Sequence, residues 1–133
     1  VNLISIPALV AVAVGAAIGG TLRFAITQLV VARAGPGLAF YATLAINATG
    51  SFAIGVVAAL AQTQPGFSPL MRLFLAVGVL GGYTTFSSFS LEVVSLASGG
   101  AAFSALGYAV ASVVLGIVAA FAGLATGRAI AST

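Results

Sequence analysis

Four long apolar stretches, separated by clusters of helix-breaking residues, make up almost the whole chain. The first cluster is Arg33-Ala34-Gly35-Pro36-Gly37, the second runs from Gln62 to Pro69, and the third is Ser98-Gly99-Gly100. Spans are therefore predicted at roughly 4–32, 38–61, 70–97 and 101–128. Each exceeds the ~20 residues that a helix needs to cross ~30 Å of hydrocarbon. The stretches are continuously apolar and rich in alanine and leucine, without the two-residue alternation of a membrane barrel, so helices are predicted. The connections are short, which predicts consecutive helices as antiparallel neighbours in one bundle. With no long repeat or low-complexity tail, residues 1–133 read as a single four-helix transmembrane domain.

Composition strengthens this reading. The 133 residues are 62% hydrophobic and 4% charged, with a mean hydropathy of +1.29. A soluble domain is about a quarter charged because its surface faces water. Here the surrounding solvent must be lipid. The net charge of +3 comes from Arg23, Arg33, Arg72 and Arg128, which are scattered along the chain, so no nucleic-acid footprint is expected. Cysteine and histidine are absent and Glu92 is the only acid, which argues against disulfides, zinc or iron centres and acid–base catalysis. An enzyme is not expected. The first apolar stretch has no basic region ahead of it, so a cleaved secretory signal is not expected either.

Four spans put both termini and the second loop on one side, together with Arg72 and Arg128. Arg33 lies on the other side, and Arg23, one to two turns inside, can snorkel toward it. Orientation follows the bias of basic residues between loops, and two against two gives almost none. Two readings stay open: insertion in both orientations with antiparallel pairing, or a count too small to carry a signal. Small residues recur four apart as Gly15/Gly19, Ser51/Gly55, Gly78/Gly82 and Gly123/Gly127, the spacing that lets helix backbones approach closely in lipid.

The third span departs from the others. It carries Gly78, Gly81 and Gly82, followed by Thr84, Thr85, Ser87, Ser88 and Ser90 near mid-membrane. Adjacent Gly81-Gly82 is the predicted unwinding point. Unwound backbone at this depth must be buried in protein or line a cavity; its carbonyls can hold a small cation, and the N-terminus of the resumed helix offers partial positive charge to an anion. The competing reading is a continuous helix with packing glycines and hydroxyls bonded back one turn. Phe86 and Phe89 share a helix face and are either ordinary apolar residues or a wall of electropositive ring edges. Asn47 in the second span either joins two helices or donates to an anion. Arg23 either snorkels or gathers anions. Glu92 either caps a polar network or carries protons. Tyr108 and Ser112, one turn apart, add hydroxyls to the fourth span.

Three motifs, in order, resemble the Fluc (CrcB) family of fluoride channels. Gly78–Ser90 is similar to Gly-x-x-Gly-Gly-x-Thr-Thr-Phe-Ser-Thr-Phe-Ser, with Ser88 in place of threonine. Ala42–Phe52 is similar to Gly-Thr-Leu-x-Val-Asn-x-x-Gly-Ser-Phe, with Ala42 and Ile46 substituted, and Gly19–Arg23 matches a first-span pattern ending in arginine. The resemblance implies a dual-topology antiparallel homodimer in the cell membrane, with two fluoride pores and a structural sodium ion on the dimer axis. It implies an anion pathway of Asn47, Phe86, Phe89, Ser88, Tyr108 and Ser112, with Arg23 at the vestibule. Sodium would be held by the Gly81 and Thr84 backbone carbonyls, with Glu92 and Thr85 in supporting polar roles. Gly116 stands where the fourth-span hydroxyl track can carry a serine. Two rival readings are a small multidrug exporter, which would place its essential acid in the first span, and an assembly subunit without transport.

Overall fold

The computed structural model describes residues 4–132, and among them every regular element is helical. Helix α1 (Ile6–Ala34) begins where Ser5 Oγ accepts the Ala8 N–H at 3.4 Å, with Pro7 in the first turn. It stops at Gly35, whose φ of 90° an L side chain would resist. A 3₁₀ turn (Pro36–Leu38) leads into α2 (Ala39–Thr63). Helix α3 covers 69–83 and opens on the Ser68 cap, whose Oγ accepts from Met71 N–H at 3.1 Å. Helix α4 (Phe86–Ser98) completes the third span, and α5 (Ala102–Ala131) follows a tight turn at Gly100. Four segments, Ile6–Ala34, Pro36–Thr63, Pro69–Ser98 and Ala102–Ala131, are long and apolar enough to cross a membrane.

The expectation that consecutive helices are the main neighbours is corrected. Helix α1 packs chiefly on α3, and α2 chiefly on α5, while α1 and α2 touch little. Small residues decide this, since without a hydrophobic force between helices the closest backbone approach wins. A Cβ added at Gly15 would lie 2.6 Å from the Phe74 carbonyl oxygen, and one at Gly82 would lie 2.6 Å from that of Ala16. In the other pair, a Cβ at Gly55 would meet Leu124 N at 2.7 Å, and one at Gly127 would meet Val56 O at 2.8 Å. Contact positions rise together along both partners, so each pair runs parallel.

Within α3, residues Leu73–Leu80 form a π-helical stretch, and the Gly81 N–H reaches the Ala76 carbonyl five residues back. Such widened turns are uncommon and gather at functional sites. The third span is broken near its middle, as expected, but not at Gly81-Gly82. Both glycines stay helical, and the chain becomes extended at Thr84 (φ −80°, ψ 159°) and Thr85 (φ −149°, ψ 121°). Gly82 is kept for its contact with Ala16, whereas two consecutive β-branched residues disfavour helix and suit extended backbone. Thr85 then caps α4, its Oγ1 accepting the Ser88 N–H at 3.2 Å.

Candidate functional site: the broken third span

The break opens onto a cleft of about 420 Å³ between α2, the third span and α5. Asn47, Gly81, Thr84, Thr85, Phe86, Phe89 and Ser112 all line it, and no charged residue does. Phe86 and Phe89, one turn apart on α4, have ring centroids 5.6 Å apart. Phe89 continues edge-on to Tyr108 at 5.4 Å, and Tyr108 to Phe40 at 5.4 Å. Phe86 is 79% exposed in the single chain, so its ring is presented and not packed away. Ser112 Oγ is buried without a hydrogen-bond partner. The Tyr108 hydroxyl is its neighbour one turn back, and a hydroxyl left without a full hydrogen bond costs roughly 1–3 kcal/mol, so Ser112 is a candidate donor to a ligand in the cleft.

Asn47 reaches the break itself. Its Oδ1 accepts the Thr85 N–H at 2.8 Å, and its Nδ2 donates to the Thr85 carbonyl at 3.0 Å. One N–H of the amide remains. Thr85 Oγ1 also donates to Ser88 Oγ at 3.0 Å, so cap and hydroxyl run form one network.

The remaining expected residues lie behind this wall. Ser88, Arg23 and Glu92 line a second cavity of about 300 Å³ together with Thr27, Thr43 and Thr85, so Thr85 borders both spaces. Ser88 and Tyr108 are not brought to the first cleft. The Tyr108 hydroxyl donates to Glu92 Oε2 at 2.6 Å, and Thr43 Oγ1 donates to Glu92 Oε1 at 2.7 Å. Glu92 therefore binds α2 and α5 to α4. Of the two readings left open for Arg23, snorkelling or gathering anions, the first does not describe its side chain, which is half-buried and turned inward; its Nε donates to the Gly82 carbonyl at 3.1 Å. That carbonyl has lost its helical donor at the break, and a cation suits the carbonyl end of a helix.

Sequence reading missed Thr43, which is 4% exposed, and Tyr83, whose hydroxyl lies 3.0 Å from Thr49 Oγ1. Thr43 had a signal, since it sits one turn before Asn47 on the same helix face. Tyr83 had none.

The carbonyls at the break fit a hard cation. The N–H groups that would bond the Gly81 and Thr84 carbonyls in a continuous helix, those of Thr85 and Ser88, bond to side chains, and both Gly81 and Thr84 line the cleft. Oxygen donors of this kind suit sodium, and the described residues offer no soft-ligand cluster.

Residues 10–124 match the family model described as CrcB-like protein, Camphor Resistance (CrcB). The chain belongs to the CrcB family. It is 49% identical over 118 residues to the "Fluoride-specific ion channel FluC" of Rhizobium meliloti (strain 1021), covering 89% of this chain and 94% of that one. A protein of the same name from Thermus thermophilus is 46% identical over 119 residues, covering 90% and 94%. That from Roseiflexus sp. (strain RS-1) is 42% identical over 120 residues, covering 90% and 96%. The chain is a multi-pass membrane protein of an ion-channel family and not an enzyme, as its poverty in titrating side chains predicted.

Proposed function

We propose that the chain is a passive, fluoride-selective channel that works as an antiparallel dual-topology homodimer with two pores and a structural sodium ion at the dimer interface. One observation carries the reading: the Ser112 hydroxyl, the Asn47 amide and the Phe86 and Phe89 rings share one uncharged cleft. Fluoride is small and strongly hydrated, so a pore must replace its water with several weak donors. A hydroxyl, the remaining amide N–H and aromatic ring edges do this without the trapping that a buried arginine would cause. The relatives' shared name, fluoride-specific ion channel, supports the same ion.

In this mechanism Ser112, Asn47, Phe86 and Phe89 hand the anion along the cleft. Ser88, bonded to Thr85 Oγ1, and Tyr108, held by Glu92, extend the polar path on the far side of Thr85. Arg23 supplies positive potential at the vestibule while its Nε keeps the Gly82 carbonyl occupied. The Gly81 and Thr84 carbonyls would hold sodium, and a second copy related by a two-fold axis would present the same pair again. A bound cation supplies fixed positive charge that offsets the cost of bringing an anion into low dielectric.

The test is anion efflux from liposomes containing the purified protein. Rapid fluoride release without a proton gradient, with chloride retained, is the expected result. Equal chloride release, or no fluoride release, would sink the reading.

A further inference from the structure

In an uninterrupted helix the Thr85 N–H would bond the Gly81 carbonyl four residues back. Here that N–H goes to Asn47 Oδ1 at 2.8 Å, and Asn47 Nδ2 returns a bond to the Thr85 carbonyl at 3.0 Å. One side-chain amide thus engages both polar groups of a single extended residue, as a neighbouring strand would. The Gly81 carbonyl loses its helical donor. The helical donor to the Thr84 carbonyl, the Ser88 N–H, is likewise diverted, to Thr85 Oγ1 at 3.2 Å. The Gly82 carbonyl between them is occupied by Arg23 Nε.

The neighbouring face of α2 fits the same purpose. Gly50, one turn after Asn47, has the Thr84 methyl group where a Cβ would stand, with Tyr83 Cδ1 at 3.2 Å. Thr49 Oγ1 meets the Tyr83 hydroxyl at 3.0 Å. Asn47, Thr49 and Gly50 therefore fix residues 83–85 from one helix.

We infer that Asn47 is a positioning residue for the cation site: by competing for the Thr85 N–H it holds the break extended and releases the Gly81 carbonyl toward the cleft. The identity of the cation rests on the sodium reading above; the clamp does not. Its role differs from anion donation, which uses the other amide N–H.

The experiment is backbone NMR of the protein in lipid nanodiscs, with sodium titrated against a potassium background. In the wild type, Thr84 and Thr85 show extended-backbone carbon shifts, and sodium moves the Gly81 and Thr84 carbonyl resonances. Asn47→Leu shifts Thr85 to helical values and abolishes the sodium response, whereas Asn47→Asp, which keeps the acceptor for the Thr85 N–H though it loses the donor to the Thr85 carbonyl, keeps Thr85 extended. An extended Thr85 in Asn47→Leu would overturn the clamp. If Asn47→Leu turns helical but the wild type ignores sodium, the clamp stands and the sodium reading fails. Should Asn47→Leu not fold, wild-type hydrogen exchange decides: Thr85 N–H is expected to exchange roughly ten-fold more slowly than Phe86 N–H, and equal rates overturn the proposal.

Discussion

Tyr108 donates its hydroxyl to Glu92 at 2.6 Å, which joins α5 to α4 behind the aromatic wall of the cleft. Thr43 supplies the second donor to the same carboxylate from α2, so the only acid of the chain ties three helices together. Glu92→Leu strands two hydroxyls and is expected to cost roughly 2–4 kcal/mol. Glu92→Gln keeps an acceptor and can donate to one hydroxyl, so its cost is about 1 kcal/mol. Denaturation in detergent compares them, and equal losses would remove Glu92 from the centre of the network.

Asn47→Asp keeps an oxygen for the Thr85 N–H but places negative charge beside the cleft. It is expected to fold with wild-type helicity and to lose most fluoride flux in liposomes. Unchanged flux would take Asn47 out of the anion path.

The two phenylalanines are expected to separate under substitution. Phe86 is largely exposed, so Phe86→Ala leaves stability within about 0.5 kcal/mol while flux falls. Loss of an aromatic contact worth ~1 kcal/mol corresponds to roughly a several-fold drop. Phe89 packs against both Phe86 and Tyr108, so Phe89→Ala lowers stability as well. Melting temperature and efflux measured on the same preparations check this.

The helix-pairing glycines differ sharply from an open one. Gly82→Ala drives a Cβ toward the Ala16 backbone and is expected to cost roughly 1–3 kcal/mol. Gly107, also helical, has nothing within 4 Å of the same position. Gly107→Ala should be neutral or stabilising by up to ~1 kcal/mol. Similar behaviour of the two variants would contradict the α1–α3 contact.

A tag at the C-terminus should be labelled from both faces of the membrane if the chain inserts in both orientations. Labelling from one face alone would argue against an antiparallel dimer.

Span number, helical class and the existence of a break were legible in the residues, because each depends on local composition. Apolar length forces a crossing, breaker clusters end helices, and the hydroxyl-rich third span marks itself. The position of the break was not legible. Gly81-Gly82 has the weaker helix propensity, yet its second glycine is consumed by contact with Ala16, while the Thr84–Thr85 backbone finds its partner on α2. Short loops likewise suggested that consecutive helices pack together, and the glycine stripes on alternate spans overrode them.

By itself, then, the sequence determined that this is a four-span membrane helix protein, poor in titrating groups, with its chemistry gathered in the third span. Only the tertiary structure decided which polar group meets which: Asn47 with Thr85, Glu92 with Thr43 and Tyr108, Arg23 with Gly82. Apolar patterning acts along one helix and can be read there. In lipid, a hydrogen bond between helices is set by which backbones can approach closely enough, and that is a property of the packed bundle.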